Sequence, residues 1–144
     1  MTIRELMSGG LITVRRETPV LEARDLMARE KIRHLLVTDS DRTLAGIITD
    51  RDIRLNLPSQ ATSLSVWEIN HLLTKLTVGQ VMRSSMITIG PDRTAHDGAQ
   101  LMLNHKIGAL PVVEDGHLVG IITETDIVRA FIAMTRRAVP SVRR

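Results

Sequence analysis

The sequence predicts an α/β protein (α+β by some schemes) made of two copies of one β-α-β-β-α unit. The clearest evidence is a repeated segment, since residues 46–52 read GIITDRD and residues 120–126 read GIITETD. The residues before each segment repeat as well, and Met7 aligns with Met82. A unit of this size cannot bury its own apolar face. We therefore expect the two copies to pack together, so that any cleft between them occurs as a symmetry-related pair.

The first copy follows the plan in chain order. Its predicted elements are a strand at 11–14, a helix at 20–31, strands at 34–37 and 44–48, and a helix starting at Asp50 and ending near 57. The first helix is amphipathic, because Ala23, Leu26 and Met27 share one face and charged residues occupy the other. Both later strands are apolar runs without strict alternation, which is typical of strands buried on both faces.

The second copy repeats these elements. They are a strand at 86–89, a helix at 95–105, strands at 109–113 and 118–122, and a helix at 124–134. Between the copies, Val66, Ile69, Leu73 and Leu76 fall at helical spacing and predict a linking helix. The predicted organisation is therefore repeat 1 at 1–57, a linker with a helix at 58–78, repeat 2 at 79–134 and a basic tail at 135–144.

Composition excludes several classes of protein. Hydrophobic residues make up 43% of the chain and charged residues 24%, which is typical of a folded globular protein. The chain has no cysteine, so disulfides and thiolate metal sites are excluded. Its first residues are a poor match to a signal peptide, and no segment is apolar enough to span a membrane, which predicts a cytoplasmic protein. The histidines form no metal-binding or nucleophile-activating arrangement, so we predict no metal site and no enzyme activity.

Each copy also carries a Thr-x-x-Asp motif at the end of a strand, Thr49 with Asp52 and Thr123 with Asp126. One interpretation is a capping box, in which these side chains bind free amides of the following helix. The other is a ligand half-site. Helix amides favour a phosphate, and an ionised Asp can accept both hydrogens of a ribose diol.

The duplicated unit, the segments IRHLLV and IGALPV, and the paired GIITDRD and GIITETD motifs resemble a tandem of cystathionine-β-synthase-type (CBS) domains, the Bateman module. The resemblance covers the chain from about residue 3 to about 131, and the segment between the copies is similar to the linker of acetoin-utilisation-type CBS proteins. It implies two pseudo-symmetric repeats packed sheet to sheet. It also implies a stand-alone regulatory module that binds adenine nucleotides and performs no catalysis.

The resemblance further implies two clefts, each using the motif of one copy and the strand and helix-start region of the other. One cleft would use Thr123 and Asp126 with Thr18, Ala23, Ile32 and Arg33. The opposite cleft would use Thr49 and Asp52 with Arg93, Gly98, Ile107 and Gly108. His34 and Arg51 add titratable and basic groups to the first copy. Because Gly108 stands where the first copy has Arg33, we predict unequal affinities, with the Thr123/Asp126 cleft preferring a phosphorylated adenosine.

The expected ligand is AMP, ADP or ATP, with S-adenosylmethionine or NAD as alternatives. The expected partners are a second copy of the chain and an unidentified regulated protein, with no membrane. Two other functions stay open. One is a structural or dimerisation module whose motifs only cap helices. The other is nucleic-acid binding through the basic tail, which a chain with Trp67 and Phe131 as its only large aromatic residues disfavours.

Overall fold

The computed structural model describes residues 1–56 and 64–136 and contains two compact units. We call Ile12–Met86 the central unit. Met1–Leu11 together with the residues from Ile87 onward form the terminal unit. Part of the predicted linker (58–63), the predicted helix end at 57 and most of the predicted basic tail (137–144) lie outside the described residues.

The predicted α/β class is confirmed by alternating helices and strands. In chain order the helices are α1 Ile3–Leu6, α2 Val20–Glu30, α3 Asp50–Leu55, α4 Val66–Lys75, α5 Val78–Val81, α6 Ala95–His105 and α7 Glu124–Thr135. The strands are β1 Thr13–Val14, β2 His34–Thr38, β3 Leu44–Thr49, β4 Ala109–Glu114 and β5 His117–Thr123. The linking helix expected from apolar spacing is α4.

The central unit contains a three-stranded sheet in the order β1-β2-β3. Strand β1 is parallel to β2, and β2 is antiparallel to β3, with His34 opposite Thr49. Strand residues such as Leu35 and Ile48 are buried together with Ala23 and Met27 of α2. The amphipathic face of α2 predicted from the sequence is therefore the face that covers the core.

The terminal unit has only a two-stranded sheet, in which β4 and β5 are antiparallel. The predicted strand at 86–89 is wrong, because Ile89 alone pairs there, in a single parallel bridge with Val112. The physical reason is Pro111, which stands where the first copy has Leu36, the partner of Thr13. Proline has no amide hydrogen to donate, so the ladder does not extend beyond one bridge.

Two short helices, α1 and α5, were not predicted, and each lies at the start of one copy. Helix α1 belongs to the terminal unit, where the amide of Ile3 donates to the carbonyl of Arg93 at 2.8 Å. Helix α5 belongs to the central unit, where the amide of Val78 donates to the carbonyl of Thr18 at 2.8 Å. The first residues of each copy thus pack with the other copy. The repeat boundaries given above stay predictions about the sequence.

These short helices supply matched core side chains. Ile3 and Gly98 are buried in the terminal unit, and a Cβ added to Gly98 would lie 2.8 Å from Ile3 Cδ1. The aligned residues Val78 and Ala23 are both fully buried in the core of the central unit. The larger side chain at the start of one copy is therefore combined with the smaller residue on the helix, so that the two cores keep the same apolar content.

Candidate functional site

Both Thr-x-x-Asp motifs lie at a strand-to-helix junction and form capping boxes. In the central unit the amide of Thr49 donates to Asp52 Oδ2 at 3.0 Å, and the amide of Asp52 donates to Thr49 Oγ1 at 3.1 Å. In the terminal unit the amide of Thr123 donates to Asp126 Oδ2 at 2.8 Å. The capping interpretation is therefore confirmed for both motifs. Ligand binding is a separate question that depends on the remaining carboxylate oxygen.

In the first motif, the remaining carboxylate oxygen already accepts a hydrogen bond from a protein side chain. Asp52 is 5% exposed, and its Oδ1 accepts a hydrogen bond of 2.9 Å from Nε of Arg83. The Arg83 side chain is 59% exposed, so it covers the carboxylate from the solvent side. Both oxygens of Asp52 therefore have protein donors.

The second motif is more open. The side chain of Asp126 is 16% exposed, and Oδ2 also accepts from the Thr123 hydroxyl at 3.1 Å. Among the residues that the structure describes, none donates a hydrogen bond to Oδ1. The nearest cation given by the structure is Arg129 on the same helix, with Nη1 3.6 Å from Oδ1 and a side chain that is 74% exposed. This oxygen can accept hydrogen bonds from a ligand.

In the central unit, several predicted site residues lie at the junction between β3 and α3, where the first motif stands. The amide of Asp50 donates to the carbonyl of Arg33 at 3.3 Å, so Arg33 lies beside the start of α3. His34 is the cross-strand partner of Thr49, and Arg51 is exposed on the first turn of α3. Ile32 is half-buried and packs against the core. The central unit thus places Arg33 and Arg51 next to its motif, in addition to Arg83.

The matching junction of the terminal unit carries no arginine at these positions. Glu124 donates from its amide to the carbonyl of Gly108 at 3.0 Å, and Ile107 packs against the core. Arg93, just before α6, donates to Asp97 at 3.1 Å. This hydrogen bond, together with one from Thr94, lowers the pKa of the Asp97 carboxyl.

Three other predicted site residues are held mainly by protein contacts. Ala23 is fully buried and Gly98 is buried, so both face the cores of their units. The hydroxyl of Thr18 accepts from the amide of Arg15 at 3.2 Å. Their roles in ligand binding stay predictions.

A glycine precedes each motif because another segment crosses the strand there. A Cβ on Gly46 would lie 2.6 Å from Met82 Sδ and 2.8 Å from the carbonyl oxygen of Arg83. A Cβ on Gly120 would meet the flexible Met7 side chain, while the Ser8 carbonyl oxygen is 3.1 Å away. Both methionines are half-buried against their cores, as expected for packing residues.

We expect Gly46→Ala to lower the free energy of unfolding by about 1–3 kcal/mol, because overpacking forces backbone to move. Gly120→Ala is the matched control and should have the smaller effect, since a methionine side chain can move away. Urea denaturation followed by circular dichroism measures both. Equal losses would contradict the role given to the Arg83 carbonyl.

Arg83 is a residue that sequence reasoning did not identify. The alignment that pairs Met7 with Met82 also pairs Ser8 with Arg83, so the difference between the copies was visible in the sequence. The sequence does not show the contact between Arg83 and Asp52, which arises because the backbone of Arg83 pairs with Ile47.

Residues 1–56 and 64–136 contain neither a membrane-spanning helix nor a metal-binding cluster. No helix there has the length and apolar character needed to cross a bilayer. Nor does this part of the chain bring together three His, Asp or Glu side chains in a group able to hold a metal ion.

Comparison with known proteins agrees with this geometry. A sequence profile of the CBS domain matches residues 3–59 and 78–133. The chain belongs to the CBS domain family. Among curated relatives, this CBS pair is 30% identical over 139 residues to a CBS domain-containing protein of Dictyostelium discoideum and spans 96% of it. It spans only 23% of a homoserine O-acetyltransferase of Methanocorpusculum labreanum, to which it is 31% identical over 124 residues, or 85% of this chain.

Solved structures of CBS proteins have the same fold. An acetoin utilization protein (AcuB) from Vibrio cholerae matches with a TM-score of 0.81 and 27% identity, covering 97% of this chain and 98% of that one. CBSX2 in complex with AMP matches with a TM-score of 0.76 and 31% identity, covering 94% of this chain and 98% of that one. The CBS pair of MJ0100, in complex with 5′-methylthioadenosine and S-adenosyl-L-methionine, matches with a TM-score of 0.74 and 29% identity. The match covers 91% of this chain and 99% of that one.

Proposed function

We propose that this CBS pair is a regulatory module that binds an adenosine-containing nucleotide at its Thr-x-x-Asp motifs and performs no catalysis. The observation that carries the proposal is the Asp126 carboxylate, which stands at the N-terminus of the 12-residue helix α7 with Oδ1 available to a donor. The adenosine ligands in CBSX2 and in the MJ0100 pair support the same ligand class.

The chemistry of the motif suits a nucleoside phosphate. An ionised carboxylate accepts hydrogen bonds only, and a ribose diol offers two donors side by side. The amides at the start of α7 and the partial positive charge of that helix favour a phosphate. Arg33 and Arg51, both exposed, are the arginines that we propose contact phosphate oxygens.

The proposed binding residues are drawn from those expected from the sequence. They are Thr49, Asp52, Thr123, Asp126, Thr18, Ala23, Ile32, Arg33, His34, Arg51, Ile107 and Gly108. Because Ala23 is buried, its proposed contribution is to shape the backbone near the ligand. The preferred ligands are AMP, ADP and ATP, and the cytoplasmic location expected from the sequence stays a prediction.

Isothermal titration calorimetry of the full chain tests this function. We expect AMP, ADP or ATP to bind, and GMP, the control with the same ribose and phosphate, to bind more weakly. S-adenosylmethionine and NAD are titrated in parallel to define the ligand. A ligand at 100 times its Kd should also raise the free energy of unfolding by about 2.7 kcal/mol. Absence of binding by all five adenosine compounds would reject the proposal.

The second candidate is a purely structural module, and the capping boxes favour it. Such boxes satisfy free amides at a helix N-terminus without any ligand. In that case substitutions in the motifs would change stability alone. The third possibility, nucleic-acid binding through the tail, is tested by deleting residues 136–144, which should remove any salt-sensitive binding of DNA or RNA.

We also propose that the chain forms a homodimer and acts on a regulated protein partner. Helix α7 exposes four large apolar side chains, Val128, Phe131, Ile132 and Met134. Soluble monomers rarely leave large apolar patches in water, so such side chains favour an interface. Sedimentation velocity at two protein concentrations tests the dimer.

A further inference from the structure

We infer that Arg83 is a built-in competitor that occupies the ribose-binding carboxylate of Asp52, so that the chain takes its adenosine ligand through Asp126. The inference rests on the proposed function and adds the order in which its two motifs are used. Each carboxylate oxygen has two acceptor sites, so an oxygen that already accepts from an arginine can take both hydroxyls of a ribose diol only if that arginine leaves. At Asp52 the donors are the Thr49 amide and Arg83 Nε.

Arg83 is held at this place by its backbone. Its amide donates to the carbonyl of Ile47 at 2.9 Å, and the Ile47 amide donates back to Arg83 at 3.0 Å. Ile47 lies on β3, the strand that ends at Thr49. The guanidinium therefore stays near Asp52 even when its hydrogen bond opens, which makes it an effective competitor because its local concentration is high.

The terminal unit has the same backbone bridge with a different side chain. Ser8 and Ile121 exchange hydrogen bonds of 2.9 and 3.1 Å, at the positions that correspond to Arg83 and Ile47. A serine has neither the positive charge nor the length of an arginine. Asp126 therefore has no competitor at the matching position, and the exposed Arg129 reaches only 3.6 Å.

Solvent exposure of the ion pair limits how strongly Arg83 competes with a ligand for Asp52. Asp52 is nearly buried, whereas the Arg83 side chain is 59% exposed, so the pair is screened on one side. The arginine can therefore be displaced by a ligand at a cost. We expect that cost to weaken binding at the first motif about 10-fold or more, equal to about 1.4 kcal/mol.

Reciprocal substitutions test the inference by calorimetric titration of the full chain with AMP. In wild-type protein AMP should bind through Asp126 and about 10-fold more weakly at Asp52, so Asp126→Ala should leave only the weaker binding. Arg83→Ser, which copies residue 8, should strengthen binding of the second AMP about 10-fold. The double variant Arg83→Ser/Asp126→Ala should bind one AMP with this strengthened affinity. Ser8→Arg should weaken the wild-type site about 10-fold.

The controls separate this inference from the proposed function. Arg29→Ser removes one exposed arginine on α2 and should leave the titration unchanged. Arg83→Gln replaces Arg83→Ser if the serine variant does not fold, as judged by circular dichroism. If wild type binds AMP but the Arg83 variants bind the second AMP no more tightly, or more weakly, Arg83 is not a competitor. If neither wild type nor any variant binds an adenosine compound, the proposed function fails and the inference fails with it.

Discussion

Replacing Asp126 by alanine is expected to weaken AMP binding at this motif about 100-fold, because two hydrogen bonds from the ribose to a charged oxygen are lost. A hydrogen bond to a charged group contributes about 1.5–3 kcal/mol, and each 1.4 kcal/mol corresponds to tenfold in Kd. The same substitution removes the acceptor of the Thr123 amide, so the free energy of unfolding should fall by about 1 kcal/mol. Calorimetry and urea denaturation measure the two effects separately.

The matched control is Asp52→Ala in the first motif. It should lower stability more than Asp126→Ala, because it removes the hydrogen bond with Arg83 as well as the cap. It should change AMP affinity less, because this carboxylate is already engaged. An Asp126→Ala protein that is less stable yet binds AMP with unchanged affinity would show that the motif only caps α7.

Ile3→Ala should lower the free energy of unfolding by about 2–5 kcal/mol, although residue 3 lies near the start of the sequence, where side chains are usually exposed. Ile3 is 0% exposed and packs against Gly98 within a core that includes Leu110 and Ile122. Truncation to alanine leaves a cavity that the surrounding strands cannot fill. Urea denaturation followed by circular dichroism gives the loss.

The control is the double variant Ile3→Val/Gly98→Ala, which copies the Val78 and Ala23 pair of the central unit. It keeps the apolar content, so it should retain most of the stability that Ile3→Ala loses. Gly98→Ala alone should be destabilising, since the new Cβ would lie 2.8 Å from Ile3 Cδ1. A loss below about 1 kcal/mol for Ile3→Ala would mean that the α1 segment contributes little to the terminal unit.

The sequence predicts the elements whose signal is local. Helices α2 and α6 and strands β2 to β5 appear within a residue or two of their expected bounds, because apolar periodicity and turn residues fix them. Helices α1 and α5 have only four residues each, too few for periodicity to register. The sequence signal for these two helices is a capping-box pattern, because Thr2 and Thr77 are each followed three residues later by Glu or Gln.

The rest depends on contacts between distant residues. Pro111 breaks the expected pairing of the 86–89 strand, and the effect is understood only when its partner strand is known. The site shows the same limit. The resemblance implied unequal clefts from Arg33 and Gly108, whereas the structure adds a difference at Arg83 and Ser8 that acts on the carboxylates directly. That difference requires the backbone bridge to Ile47, which no local pattern predicts.

Helix α1 precedes the central unit in the sequence but packs in the terminal unit, and this affects how the protein folds during translation. During translation the residues of the central unit emerge from the ribosome together and can fold as they appear. Ile3 emerges before all of them, but the residues that enclose it, such as Leu110 and Ile122, are synthesised after the whole central unit. Its apolar side chain therefore has no native core contacts until then, and the terminal unit completes its core after the central unit has been synthesised.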